Sequence, residues 1–321
     1  MKTFILPLAL LIIAVTCAAA DPATTPPTTA PAQPPPPKKP FADKIPPDVK
    51  VIPDLEYVPG GGKWQSLDLY LPKGGAGKIP LVVFVHGGGW NSGTDKDWHP
   101  SFHDLLANGF AVATINYRLV PSALWPAQIF DTKAAVRWLR AHAADYNLDP
   151  DRFGVWGHSA GGHLAAMMGT TNGNASLEGD EGVKGVSSDV QAACDWSGPS
   201  DLVTAYDQMP PNSPLYKVDL ALVGGPSPNV KDALKNASPI TYVNSKSVPF
   251  LIEQGANDNI VPLTQSTELN NALQKAGVES TQVVVPGADH GVVPHLSQGP
   301  SAPDVYAPVT AFFEKHLKSS P

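Results

Sequence analysis

Cysteine is nearly missing from this 321-residue chain, which has only Cys17 and Cys194. So few thiols exclude a disulfide-built scaffold and a thiolate metal cage. Cys17 falls in an N-terminal segment expected to be removed, so Cys194 has no partner in the same chain. Its setting, VQAACDW, marks it as a small buried hydrophobe rather than a nucleophile. Basic charge is also short, with 22 Lys and Arg against 29 Asp and Glu and a net charge of -7. That balance argues against a nucleic-acid partner, which requires a basic face. Nor is there a long apolar run. The one at residues 4–16 is shorter than the ~20 residues a membrane span needs, and no stop-transfer pattern follows it.

That short run has another use. Lys2 precedes it, and Ala18, Ala19 and Ala20 offer a small-residue cleavage site after it. This is the layout of a secretory signal peptide over residues 1–20, and it implies a secreted or periplasmic protein with no stable membrane insertion. A lipoprotein acylated at Cys17 is the less favoured reading, because Ala14-Val15-Thr16 fits its cleavage site poorly. Residues 21–47 are Pro, Thr and Ala with almost nothing bulky and apolar, so burial cannot offset the entropy of ordering them. They read as an extended spacer, either a tether or a plain disordered tail. Residues 48–321 are expected to form a single folded domain. With 42% hydrophobic residues in the chain, this stretch can bury a full core.

Within that domain strand and helix patterns alternate. WQSLDLYL (64–71) alternates apolar and polar like an antiparallel edge strand, whereas LVVFVH (81–86) and FAVATINY (110–117) are continuous runs typical of strands covered on both faces. Further strands are expected at 153–157, 190–196, 250–254 and 282–285, and helices at 129–144, 263–276 and 305–317. The implied fold class is α/β, a mostly parallel sheet with helices on both faces. Residues 199–242 are rich in Pro and Gly, lack clear periodicity and are long for a loop. They suggest a small insertion acting as a partial cap.

The stretch FGVWGHSAGGHLAAMMG (153–169) holds G-x-S-x-G between a strand and a helix. In that context the motif is a nucleophile elbow, a tight turn that exposes Ser159 at the carboxyl end of the sheet. Glycines two before and two after the serine avoid clashes that a side chain would cause. The plainer alternative is a serine N-cap on an ordinary helix. A serine hydroxyl needs a base, and the base an orienting carboxylate, in the chain order serine, acid, histidine. Beyond His163, one helical turn past the serine, the histidines are His290, His295 and His316. His290, in PGADHGV just after a strand, is the candidate base. Asp258, on the loop after FLIEQ, is the candidate acid, with Asp289, Asp195 and Asp201 as rivals. The N–H of Ala160 can stabilise an oxyanion, and the glycine-rich HGGGW loop (86–90) after a buried strand suits the same task.

From about residue 67 to His290 these motifs together resemble the alpha/beta-hydrolase superfamily. HGGGW, GHSAGGHLA, GANDNIVP and PGADHG are similar to hormone-sensitive-lipase-like esterases, and closer to the compact bacterial group that includes feruloyl and acetylxylan esterases. NYRL (116–119), PAQIFDTKAAVRWLR and ASPITYV also look like that group. The resemblance implies that Gly88 and Gly89 join Ala160 in the oxyanion hole. It departs in one respect: only about thirty residues separate the spacer from the HGGGW strand, too few for the N-terminal helical cap of the lipase-like relatives. A relatively open site is expected, suited to a bulky or polymer-attached ester.

The expected reaction is a two-step acyl transfer through Ser159, His290 and Asp258, with acetyl or feruloyl esters of plant polysaccharide as one substrate class. It needs neutral imidazole, so activity should rise with pH. No cofactor and no metal are implied, since no histidine–carboxylate or cysteine cluster has ligand spacing. A general short-chain carboxylesterase or lipase-like enzyme, an amide hydrolase such as an arylformamidase or peptidase, and a non-catalytic binding module are the competing functions. Trp90, Trp125 and Trp196 fit either an aromatic-acyl pocket or the core. Nothing in the sequence sets the oligomeric state.

Overall fold

Alternation along each strand decides where side chains go. On the strand Ile79–Val85 (β3), Leu81, Val83 and Val85 enter one apolar cluster while Val82 and Phe84 enter another. A strand with both faces covered reads as a continuous apolar run, which is why LVVFVH shows no period in sequence. The computed structural model describes residues 45–46, 48–74, 77–96, 102–292 and 304–318. The signal segment, the spacer apart from residues 45 and 46, Cys17 and His295 lie outside them.

The other elements are β1 (Val49–Glu56), β2 (Ser66–Pro72), α1 (Phe102–Ala107), β4 (Ala111–Ile115), α2 (Ala127–Ala141), β5 (Leu148–His158) and α3 (Ala160–Thr170). Then follow β6 (Ala192–Trp196), α4 (Leu202–Gln208), α5 (Pro214–Leu222), α6 (Val230–Asn236), β7 (Phe250–Gly255), α7 (Leu263–Lys275), β8 (Ser280–Val285) and α8 (Ala307–Leu317). The described strands form one sheet in the order β1-β2-β4-β3-β5-β6-β7-β8. β2 pairs antiparallel with β1 and β4, and every later pairing is parallel. Residues of α2, α3 and α7 join the cluster on one face, and residues of α1 and α8 join the other. This is the alpha/beta-hydrolase arrangement.

One expectation is corrected, and two features go beyond what the sequence showed. The segment 64–71 is not an edge strand, because β1 pairs outside it. Its polar positions are buried as well: Asp68 meets the Lys96 ammonium at 2.5 Å, and Tyr70 packs with Phe102 in the cluster of α1 and α8. An ion pair hides a polar residue as effectively as an apolar neighbour does, so alternation here did not mean exposure. The helix α1 was not anticipated, six residues being too few to display a helical period. The insertion at 199–242 is helical, carrying α4, α5 and α6. Asp201 caps α4 and Ser213 caps α5 through side-chain acceptors, local signals that its Pro and Gly content obscured.

Candidate active site

The site begins at the turn between β5 and α3. Ser159 sits there at φ 57 and ψ -121, a backbone region that costs a non-glycine residue free energy. Three contacts hold it. Its N–H donates to the Trp196 carbonyl at 2.7 Å on β6, and its carbonyl accepts from the His163 N–H at 2.9 Å. The third is close backbone packing: a Cβ on Gly157 would strike the Gly161 carbonyl, and one on Gly161 would strike the Val85 carbonyl. Helix α3 is buried at every position, which explains the small apolar residues after the serine.

Loops after β7 and β8 bring the other two groups. His290 Nε2 lies 2.8 Å from Ser159 Oγ, and His290 Nδ1 lies 2.9 Å from Asp258 Oδ2. A carboxylate only accepts, so Nδ1–H donates to Asp258 and Nε2 accepts from the serine hydroxyl. The Asp258 side chain is sealed from solvent. Burial alone would raise its pKa. Hydrogen bonds from His290 and from the Ile260 and Val261 N–H groups, the latter two at 2.9 Å, outweigh burial and hold it below the ordinary value.

The rival residues are placed elsewhere. Asp201 caps α4, Asp195 accepts from the Gly198 N–H at 2.8 Å, and Asp289 accepts from the Gly291 N–H. His163 is buried against Trp90 and Trp125 and donates to the Ala237 carbonyl at 2.6 Å; burial pulls its pKa down to about 4. His316 lies on α8 beside Glu279. Cys194 is buried, free and in the core.

Beside Ser159 and His290 lies a cavity of about 370 Å³, which Gly88, Gly89 and Ala160 also line. Gly88 and Gly89 have φ of +111 and +58, conformations that favour glycine. Pro214, Leu215 and Val218 of α5 form one wall, so the insertion does cover part of the site. Of the three tryptophans only Trp90 lines this cavity. Trp196 packs edge-to-face against Trp156 in the core, and Trp125 packs against the core and His163.

Two supports escaped the sequence reading. His158, just before the serine, donates from Nε2 to the His290 carbonyl at 2.7 Å. Burial lowers its pKa, which keeps the ring neutral and leaves that donor in place. Below the glycine loop, His86 stacks on Tyr117 at 4.4 Å, and the Tyr117 hydroxyl donates to the His86 carbonyl. Asn116 accepts from the Asp95 N–H and donates to the Lys63 carbonyl. The run NYRL after β4 was the available signal, since polar residues that stay buried at a strand end must be bonded to something. Among the described residues no group of three or more His, Cys, Asp or Glu side chains could hold a metal ion.

Comparison with known proteins agrees with this fold. The BD-FAE family model matches residues 67–273. Esterase LipQ of Mycobacterium tuberculosis is 32% identical over 74% of this chain, which covers 56% of LipQ. The chain thus spans about half the length of the mycobacterial relatives LipQ and LipM. Among solved structures, a truncated carbohydrate esterase from gut microbiota superposes with a TM-score of 0.74 at 33% identity, covering 83% of this chain and 95% of that one. An acetyl ester-xyloside bifunctional hydrolase from Caldicellulosiruptor lactoaceticus gives 0.65 at 27% identity over 78% and 87%.

Proposed function

Because this chain belongs to the BD-FAE family and to the esterases of the alpha/beta-hydrolase fold, we propose that it is an exported serine carboxylic ester hydrolase acting on acyl groups carried by plant polysaccharide. The observation that carries the reading is the continuous chain of hydrogen bonds from Ser159 through His290 to Asp258, opening on a cavity. In this reading Ser159 Oγ attacks the ester carbonyl as His290 Nε2 takes its proton. Asp258 fixes the tautomer and stabilises the imidazolium. The oxyanion meets the backbone N–H groups of Ala160, Gly88 and Gly89, each worth on the order of 3 kcal/mol of barrier. His290 then protonates the departing alcohol, and water releases the acid by the same route.

The substrate class draws on the carbohydrate esterase and acetyl ester-xyloside hydrolase among the structural neighbours. Export draws on the pattern of residues 1–20. The test is hydrolysis of acetylated xylan, methyl ferulate and p-nitrophenyl esters by wild type, Ser159→Ala and Asp258→Asn. Ser159→Ala should lower kcat by at least about 10³-fold, and Asp258→Asn by about 10³–10⁴. Turnover that survives Ser159→Ala overturns the mechanism. Strong serine-dependent turnover of p-nitrophenyl esters with none on xylan or ferulate overturns the polysaccharide assignment alone.

A further inference from the structure

The cavity beside Ser159 has a neighbour. Asn91 and Ser92 line it and also line a second pocket of about 320 Å³. The two differ in chemistry. Leu215, Val218, Ile260 and Val261 give the first an apolar wall that offers nothing to a hydroxyl. The second presents the half-buried Trp64 indole together with Asn91, Ser92, Ser122 and Arg118. Arg118 is held in place: Nε and Nη2 donate to Asp131 at 2.8 and 2.7 Å, Nη2 donates to Glu181 at 2.8 Å, and the Nη1 edge stays outside these bonds. A packed indole and a guanidinium already ordered by two carboxylates lose little freedom when a ligand arrives.

An ester substrate has two halves, and these pockets suit different ones. We propose that the Trp64 pocket is the alcohol-side subsite and that it takes the pyranose ring bearing the ester, while the acyl group lies against α5. The ammonium of the exposed Lys63 lies over the Trp64 ring, 4.7 Å from its centroid; in this proposal it swings aside as the apolar C–H face of a pyranose stacks on the indole and the sugar's rim of hydroxyls bonds to Asn91, Ser92 and Arg118. The inference rests on the esterase reading above and adds which side of the scissile bond each half of the substrate occupies.

The test compares two acetates that share an acyl group: methyl mono-O-acetyl-β-xylopyranoside, and ethyl acetate, whose alcohol is too small to fill the pocket. Trp64→Ala should lower kcat/KM on the sugar ester about tenfold or more, through KM, and leave ethyl acetate within about twofold. Trp64→Phe keeps an aromatic face and should restore most of the loss. Trp64 also packs against the core, so Ser122→Phe, which obstructs the pocket from its exposed rim, provides a second variant and should give the same selective loss. Equal losses on both esters, or unchanged sugar-ester kinetics in both variants, overturn the subsite and leave the serine esterase standing. So does a wild type that cleaves ethyl acetate but not the sugar ester. If neither ester shows Ser159-dependent turnover, both readings fall.

Discussion

A single residue, His158, joins the two halves of the candidate relay. It precedes the serine in the chain and bonds the carbonyl of the histidine 132 residues later. That bond ties the His290 loop to the elbow, so its loss should misplace the imidazole. His158→Ala is expected to lower kcat about tenfold, because a sub-ångström displacement of a general base is enough for such a loss; the ring also lines the cavity, so KM shifts with it. His158→Gln keeps an N–H donor and should recover much of it. Steady-state kinetics on one ester check both variants; a change confined to KM would argue against this positioning role. The candidate positions Ser159, Asp258 and His290 were legible from the elbow motif, chain order and strand placement, with Asp258 preferred over three rivals, since each follows a strand and the parallel sheet collects strand ends at one edge. The His158 bond was not legible, because it depends on how far the loop after β8 folds back.

At the scale of elements, α5 walls the cavity in which the proposed acyl group would lie. It is nine residues long, starts on Pro214 after the Ser213 cap, and turns Leu215 and Val218 into the cavity, three apart and so on one helical face. Truncating Leu215 to Ala removes apolar wall there. The ratio of kcat/KM for p-nitrophenyl hexanoate over acetate should then rise about tenfold, the discrimination a few methylenes can give. A chain-length series measures it, and an unchanged ratio would mean the acyl group does not reach α5. The sequence showed an insertion and its covering role but not its helices. Short helices supported by caps and tertiary packing leave too few turns for a period to register.

For the whole molecule, the sheet interior stores two acids that the proposed chemistry does not use. Asp195 on β6 and Glu253 on β7 are fully buried. Burial pushes Asp195 up to about 7 against the Gly198 N–H bond, and Glu253 up to about 8 against the Trp196 indole. Both are therefore protonated in the folded protein where the unfolded chain has already ionised. From about pH 4 to pH 8 the native state binds more protons than the unfolded state, so these two groups make stability fall as pH rises across that window. Glu253→Gln mimics the neutral acid and should raise Tm at pH 8 by roughly 5 °C, with little change at pH 5. Thermal unfolding at the two pH values checks it; an equal shift at both would mean the gain is packing rather than proton linkage.

The sequence by itself determined the α/β class, the elbow and the glycine loop, and it put the candidate acid and histidine at strand ends. Each is a local pattern, a run of β-branched residues or a turn that only certain residues can make, and local sterics act before any long-range contact exists. Tertiary structure decided the rest. It placed β1 outside β2, buried Asp68 through Lys96, assigned Trp90 to the cavity and Trp196 to the core, and set the Trp64 pocket beside the glycine loop. Those outcomes depend on which distant residue lies opposite, and neither hydrophobicity nor periodicity carries a partner's identity.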